Sequence, residues 1–302
     1  MTKVQDRVRP LFVIAGPTAS GKTALAAQLI EKYPFEIISA DSRQVYRGLD
    51  IGTGKDKTVP QYMIDVADAE QQFSVSHYRD MAWPIIDQIY GRGKIPLIVG
   101  GTGYYIESLI YTQSINNTVP DNKIRAELEL LSNTQLLNLI ADVDPATASK
   151  IDAKNRARLI RALEIIRTTG LPRKIIKPIL RPDLDISLFV IDVPRAELYR
   201  RIDERVDSRL KQGMIAEVQR LLSVRISSEW LVSLGLEYRF VTQYLLLEKS
   251  KSQYDEMVIR LKFAIHAYAR RQLTFFRRWP IAQWLSAEQI KGKIAEALRQ
   301  DE

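Results

Sequence analysis

The chain alternates short apolar runs with helical stretches. Leu11-Phe12-Val13-Ile14-Ala15 is a continuous run of β-formers, the pattern of a strand buried on both faces. Ala24-Leu25-Ala26-Ala27-Gln28-Leu29-Ile30 follows it as a helix. Glu36–Ser39 reads as the next strand. A helix is expected from Phe73 to about Tyr90, with Ser74 or Ser76 as its cap. Leu97–Val99 suits a central parallel strand, and Gly100, Gly101 and Gly103 after it allow close backbone approach. Leu188–Val193 is again a strand, and a helix starts at Pro194, where proline fits the first turn. Strands alternating with helices predict an α/β fold with a parallel sheet flanked by helices.

Between these halves the pattern changes. Residues 112–182 hold no convincing strand, and helical periodicity covers Asp121–Leu131, Asn133–Ala141 and Ala153–Thr168. Thr118-Val119-Pro120-Asp121 reads as a helix entry and Gly170-Leu171-Pro172 as an exit. The expected organisation is an α/β core over 1–111 and 184–302 and an α-helical insertion domain over 112–183. A last long helix is expected from Tyr254 to Arg278, then a short amphipathic one.

Charge sharpens this picture. The net charge is +8 over 302 residues and the pI is near 9.5, which favours a polyanionic partner. Between Lys154 and Arg181 there are nine Lys/Arg and one acid, Glu164. Lys154, Arg158 and Arg161 share one helix face, opposite Leu159, Ala162, Leu163 and Ile166. From Arg260 to Arg278 there are six Lys/Arg and no acid, interleaved with Phe275 and Phe276. Basic stripes with aromatics suit an RNA backbone and its bases, although each also fits a solvated helix with its aromatics in the core. No apolar run approaches a membrane span and Met1–Arg7 holds no signal-peptide core, so a soluble cytoplasmic protein is expected. With no Cys there is neither a disulfide framework nor a thiolate metal site. His77 and His266 are too few for a histidine zinc site, and His77 reads as structural.

The chemistry centres on Gly16-Pro17-Thr18-Ala19-Ser20-Gly21-Lys22-Thr23, which reads G-x-x-x-x-G-K-T between strand and helix, so the core is P-loop NTPase-like. Its backbone N–H groups would wrap a phosphate, Lys22 would supply positive charge, and the Thr23 hydroxyl would face Mg2+. Asp41 ends the second strand, where ligand residues of open α/β sheets collect. It can act as a general base or through a metal, or simply cap a turn. Arg43–Lys55 follows as a glycine-rich basic loop.

Gly16–Thr23 together with Ser39-Ala40-Asp41-Ser42-Arg43-Gln44-Val45-Tyr46-Arg47-Gly48-Leu49-Asp50-Ile51-Gly52-Thr53 resembles the tRNA dimethylallyltransferase (tRNA isopentenyltransferase) family, and the likeness runs from Phe12 to about Arg278. The resemblance implies transfer of a dimethylallyl group from dimethylallyl diphosphate, with Mg2+, to N6 of the adenosine 3′ to the tRNA anticodon, by a monomer. It implies diphosphate on the loop and on Arg205, Asp41 as base, and Thr102 beside the modified base. It implies contact with the tRNA anticodon stem-loop at Asp41, Ser42, Arg43, Gln44 and Thr102. Further RNA contacts are implied at Arg125, at Ala157-Arg158-Leu159-Ile160-Arg161, at Tyr238 and Arg239, and at Arg270, Arg271 and Arg277 of the closing motif. Gln61–Ala67 resembles the family's next strand but lacks a histidine pair often found there. Ser233-Leu234-Gly235-Leu236-Glu237-Tyr238-Arg239 resembles a Gly-Tyr-Lys/Arg segment with two extra residues, Leu236 and Glu237. The missing Cys excludes the zinc finger of some eukaryotic relatives.

Other readings share the phosphate loop: a nucleotide kinase, a prenyltransferase acting on free AMP, ADP or ATP, and a non-catalytic RNA-binding protein. The two basic helices argue against the first two, and Asp41 with the phosphate loop argues against the third.

Overall fold

A computed structural model describes residues 8–112, 121–170 and 179–299. The chain forms two compact units, one of residues 1–110 with 181–302 and one of Tyr111–Leu180.

The first unit is built on one parallel six-stranded sheet. Its first half runs β1 (Arg9–Ala15), α1 (Lys22–Ile30), β2 (Phe35–Ala40), β3 (Gln61–Tyr62), α2 (Val75–Gly91), β4 (Ile95–Gly100) and α3 (Gly103–Ile110). The second unit contains α4 (Asn122–Leu128), α5 (Asn133–Val143), α6 (Pro145–Ala148) and α7 (Arg156–Thr169). The first unit resumes with β5 (Leu184–Ile191), α8 (Arg195–Lys211), α9 (Met214–Ser223), α10 (Ser228–Leu234), α11 (Leu236–Leu245) and α12 (Lys251–Phe276). It closes with β6 (Gln283–Leu285) and α13 (Ala287–Arg299).

The strand order is β3-β2-β4-β1-β5-β6. β1 pairs with β4 in the register Ile14 to Val99 and with β5 in the register Ile14 to Phe189. The central strands are apolar on both faces because helices cover both. Phe12, Ile14, Val99 and Phe189 pack with Leu25 and Leu29 of α1 and Ile290 and Ile294 of α13. Tyr78 of α2 is fully buried, stacks on Tyr105 of α3, and donates from its hydroxyl to Ser39 O, tying α2 to the end of β2.

The expected strand over Gln61–Ala67 is only two residues long. Met63 and Asp65 adopt φ of 64° and 53°, which ends the ladder, and Asp65 turns back to pair with Lys55 at 2.6 Å. β5 begins earlier than the apolar pattern, at Leu184, because Arg9–Ala15 offers it a full-length partner. Ser74 caps α2 and His77 completes its capping box, which makes His77 structural. α12 starts three residues before the expected Tyr254, through a capping box of Ser250 and Gln253.

In the helical unit, Leu128, Leu136, Ile140, Leu159, Leu163 and Ile166 form a separate core. Asp121, Ser132 and Asn155 cap three of its helices, and Gly170, at φ 66°, closes α7. The entry residues Thr118–Pro120, the exit residues Leu171 and Pro172, and the cations Arg173, Lys174 and Lys177 lie outside the described residues.

Candidate active site

The phosphate loop joins β1 to α1. Ala19 and Gly21 take left-handed conformations, with φ of 63° and 92°, and curl the backbone. Gly21 is the N-cap of α1 and offers no side chain, so the first N–H groups of the helix are left for a ligand. Ser20 is buried, and a Cβ at Gly16 would crowd its hydroxyl. Lys22 folds over the loop, its Nζ donating to Gly16 O at 2.9 Å and Pro17 O at 2.7 Å. Burial pushes its ammonium down to about 7, with the Arg205 cation adding to the effect and Asp41 opposing it. A diphosphate on the loop would supply the missing counter-charge.

Two adjoining cavities open at this end of the sheet. One, of about 340 Å³, is lined by the phosphate loop from Thr18 to Ala24 together with Arg201, Arg205 and Gln272. The other, of about 490 Å³, is lined by Ser42, Arg43, residues 233–240 and Arg271. Thr18, Asp41, Thr53, Arg209 and Tyr268 line both, so one continuous site has a phosphate end and a wider end, with Asp41 at the junction.

Asp41 Oδ1 accepts from Arg43 N–H at 2.8 Å and from Gln44 N–H at 3.4 Å, so the turn-capping reading is correct for that oxygen. It is compatible with a chemical role, because the capped turn fixes the carboxylate at the junction. Thr102 Oγ1 accepts from Ser42 N–H at 3.0 Å, and Thr102 N–H donates to Ala40 O at 3.0 Å. Thr102 therefore braces the Asp41 turn against the end of β4. A Cβ at Gly100 would overlap the Ala40 carbonyl, so this close approach of β2 and β4 requires glycine.

Arg205 reaches across from α8. Its Nη2 donates to Thr18 Oγ1, and its Nε is buried with no partner. Burial lowers its guanidinium to about 10, with the Arg209 cation adding and Glu237 and Asp41 opposing. A buried, unpartnered donor beside the phosphate loop suits an arriving anion. Tyr268, between the two lobes, is pushed up to about 12 by burial and then by the Asp41 charge, so its hydroxyl stays protonated.

Several supports were not legible locally. Gln272 is buried and bridges the site: Thr18 N–H donates to Oε1 at 2.9 Å, and Nε2 donates to Gly101 O at 2.9 Å. Glu217 accepts from the N–H groups of Asp50, Ile51 and Gly52 at 2.9, 2.6 and 3.1 Å, and from the Tyr238 hydroxyl at 2.8 Å. The basic loop after Asp41 is thus clamped by a carboxylate, and Lys55 is sunk between Asp50 and Asp65. It is a built wall of the site, not a solvated loop.

The implied RNA contacts divide. Ser42 and Arg43 line the wide lobe and Gln44 the phosphate lobe. Tyr238 is 2% exposed, with its ring against Gly52 and its hydroxyl on Glu217, and it forms part of the wall of the wide lobe. Arg239 is exposed. Leu159 and Ile160 are buried in the core of the helical unit, Leu159 on the expected apolar face, while Ala157 and Arg158 are exposed. Arg125 and Arg161 both bind the fully buried Glu164, at 2.8 and 2.6 Å. Arg156 pairs with Glu129, the C-cap of α4, and Arg167 with Glu127 of α4. Acids from a neighbouring helix therefore balance part of the stripe. Arg270, Arg271 and Arg277 are exposed. Of the two phenylalanines beside them, Phe276 is fully buried and Phe275 half-buried.

Comparison with known proteins follows this geometry. A family model described as IPP transferase matches residues 44–279, and one described as Isopentenyl transferase matches residues 9–60. A tRNA dimethylallyltransferase of Pelotomaculum thermopropionicum is 38% identical over 98% of this chain and 96% of its own. One of Roseiflexus castenholzii is 40% identical over 92% of this chain and 93% of its own. Among solved structures, the tRNA isopentenylpyrophosphate transferase of Bacillus halodurans superposes with a TM-score of 0.70 at 33% identity, covering 97% of both chains. A eukaryotic dimethylallyltransferase acting on tRNA superposes with a TM-score of 0.74 at 25% identity, covering 89% of this chain and 70% of its own.

Proposed function

The chain belongs to the IPP transferase family, and on that premise we propose that it transfers the dimethylallyl group of dimethylallyl diphosphate to N6 of the adenosine 3′ to the tRNA anticodon. The observation that carries this reading is the junction at Asp41, where a carboxylate lies between a phosphate lobe and a wider lobe of one site.

The diphosphate sits on the loop of Gly16–Thr23, held by backbone N–H groups and Lys22. Arg205 meets it from the other side with its unpartnered Nε. The adenine leaves its stack and enters the wide lobe, as bases do for enzymes that act on them. Its N6 attacks the allylic C1, the C1–O bond breaks, and the electron pair leaves with the diphosphate. Asp41 takes the N6 proton. Lys22 and Arg205 stabilise the charge that grows on the leaving group. Thr102 acts by holding the Asp41 turn.

Mg2+ fits this site. No group of three acidic or histidine side chains that could cage a metal occurs among the described residues, and Mg2+ on a diphosphate needs only one or two protein oxygens besides water and phosphate. The Thr23 hydroxyl, on the wall of the phosphate lobe, supplies one. When bound, the ion neutralises diphosphate charge. For the anticodon stem-loop, the α/β unit offers the exposed cations Arg239, Arg270, Arg271 and Arg277, and the helical unit separately offers Arg158. No helix among the described residues is long and apolar enough to cross a membrane. The same reading has the enzyme working as a monomer in the cytoplasm, where its RNA substrate is.

The test is transfer of labelled dimethylallyl from its diphosphate, in Mg2+, to unmodified tRNA and to AMP in parallel. Label in tRNA, lost when the adenosine after the anticodon is changed, is the expected result. Label in AMP alone would replace tRNA with a free nucleotide. Asp41→Ala should lower kcat by about 100-fold or more, the range of general-base catalysis. Near-full turnover of that variant would remove the base assignment.

A further inference from the structure

Arg201, Arg205 and Arg209 follow one another at four-residue spacing on α8, so their side chains share one face. All three line the phosphate lobe. They are not equivalent. Arg201 is paired with Glu197 at 2.7 Å. Arg209 is paired with Glu237 at 2.8 Å and also donates to Gly52 O at 2.9 Å. Arg205 has no carboxylate partner among the described residues.

The Arg209–Glu237 pair is set apart by burial. Arg209 is 7% exposed and Glu237 8% exposed. Two charges so placed depend on each other, because removing either leaves the other buried and uncompensated. Glu237 reaches this position through an unusual turn. Gly235 and Leu236 before it both have positive φ, 78° and 43°, and Leu236 is not a glycine. Leu236 and Glu237 are the two residues by which the segment departs from the Gly-Tyr-Lys/Arg pattern of the family. The departure thus delivers a carboxylate to the second guanidinium of the phosphate lobe.

From this arrangement we infer that Glu237 is a positioning residue for the diphosphate site: by neutralising Arg209 it limits the positive charge of the lobe, so that the diphosphate is gripped by Lys22 and Arg205 yet can still be released. The inference rests on the diphosphate reading above and adds a release-controlling element to it. Without Glu237, Arg205 and Arg209 would both stand uncompensated over the phosphate loop, hold pyrophosphate after the reaction and stall turnover. Arg209 has a second task that makes the pair hard to dispense with. A Cβ at Gly54 would overlap its Nη2, so the basic loop closes directly over it.

A purely structural pair and a charge-setting pair differ in sign. Calorimetric titration of Mg-pyrophosphate into the full-length wild type, Glu237→Gln, Arg209→Met and the double variant separates them, with a thermal melt of each as a check on folding. Glu237→Gln should bind pyrophosphate about tenfold more tightly, the scale of one unit charge near a polyanion at an effective dielectric near 20. In steady state its KM for dimethylallyl diphosphate should fall together with kcat. Arg209→Met, with Glu237 left bare, should bind about tenfold more weakly. The double variant should return to within about twofold of wild type, since the two effects oppose. Glu237→Asp should keep wild-type affinity. Weaker binding by both single variants, or no change in either, would overturn the inference. If Glu237→Gln does not fold, Arg209→Met and the double variant decide together: a tenfold loss in the first that the second restores supports the inference, and no loss, or a loss that is not restored, refutes it. A wild type that binds no pyrophosphate would instead bring down the diphosphate reading itself.

Discussion

Raising the pH should loosen the diphosphate site well before ordinary lysines titrate. Among the described residues the Lys22 ammonium finds only the Gly16 and Pro17 carbonyls and the Ser20 hydroxyl as hydrogen-bond partners, and burial brings it down to about 7. A diphosphate binds the protonated form and restores its charge partner. Between pH 7 and the higher value in the complex, affinity should therefore fall by about tenfold per pH unit. From pH 7, where half of the ammonium is still protonated, to pH 9 this amounts to about 50-fold, or about 2.3 kcal/mol at 1.36 kcal/mol per unit. Binding in that window should take up close to one proton. Calorimetry with an unreactive thio analogue of dimethylallyl diphosphate, in two buffers of different ionisation enthalpy, reads both quantities. Lys22→Met should bind weakly at every pH and lose the slope. A flat affinity from pH 7 to 9, or an enthalpy independent of buffer, would refute the reasoning. The same shift has a folding counterpart with a fixed sign. The unfolded chain keeps this proton up to the ordinary 10.5, so between pH 7 and 10.5 it binds more protons than the native state. Stability of the ligand-free protein should rise with pH across that window through this group.

Gln272→Leu leaves the Thr18 N–H and the buried Gly101 carbonyl without partners, and should destabilise the protein by about 2–4 kcal/mol, measured by denaturant unfolding. It should also raise KM for dimethylallyl diphosphate. In the helical unit, Glu164→Gln removes the charge that Arg125 and Arg161 share and should cost about 1–3 kcal/mol in the same measurement. Burial alone would raise the Glu164 carboxyl, but hydrogen bonds from Arg125, Arg161 and the Asp121 N–H hold it below its usual 4.5. Its contribution should therefore be complete above pH 4.5 and lost as the pH falls below that, and Glu164→Gln should abolish this acid sensitivity.

The phosphate loop and Asp41 were readable because their geometry is local. One is a turn between a strand and its following helix, and the other follows the carboxyl end of β2, one strand removed from β1 across β4 in the same parallel sheet. Gln272 could not be read that way. Its partners lie 254 and 171 residues away, and a single amide in a helix full of polar residues carries no mark of burial. Glu217 is similar: three backbone N–H groups converge on it only because α9 meets the loop after β2. The anchoring of Tyr238 is equally non-local: its ring fills the space left by Gly52, and its hydroxyl meets Glu217. The contiguous stretch Ala157–Arg161 is split by the helical period itself, which turns Leu159 and Ile160 inward and leaves Ala157 and Arg158 outside. The basic surplus counted along α7 is partly cancelled by Glu127 of α4 and Glu129 at its end, which no one-dimensional count can see.

The helical unit leaves and rejoins its host at a single point. Tyr111 and Leu180 form an antiparallel bridge, Thr112 N–H donates to Ile179 O at 2.9 Å, and Arg181 N–H donates to Ile110 O at 3.0 Å. For the sheet, whose β4 and β5 both flank β1, a long disordered excursion between them would carry a loop-closure penalty that grows with its length. A unit with its own core, pinned at its neck, acts instead as a short connector. The sheet can assemble around β1 as though residues 111–180 were a hairpin turn. A brief turn grafted between Ile110 and Arg181 should then leave the phosphate loop folded, and evolution is free to resize the insertion without renegotiating the core.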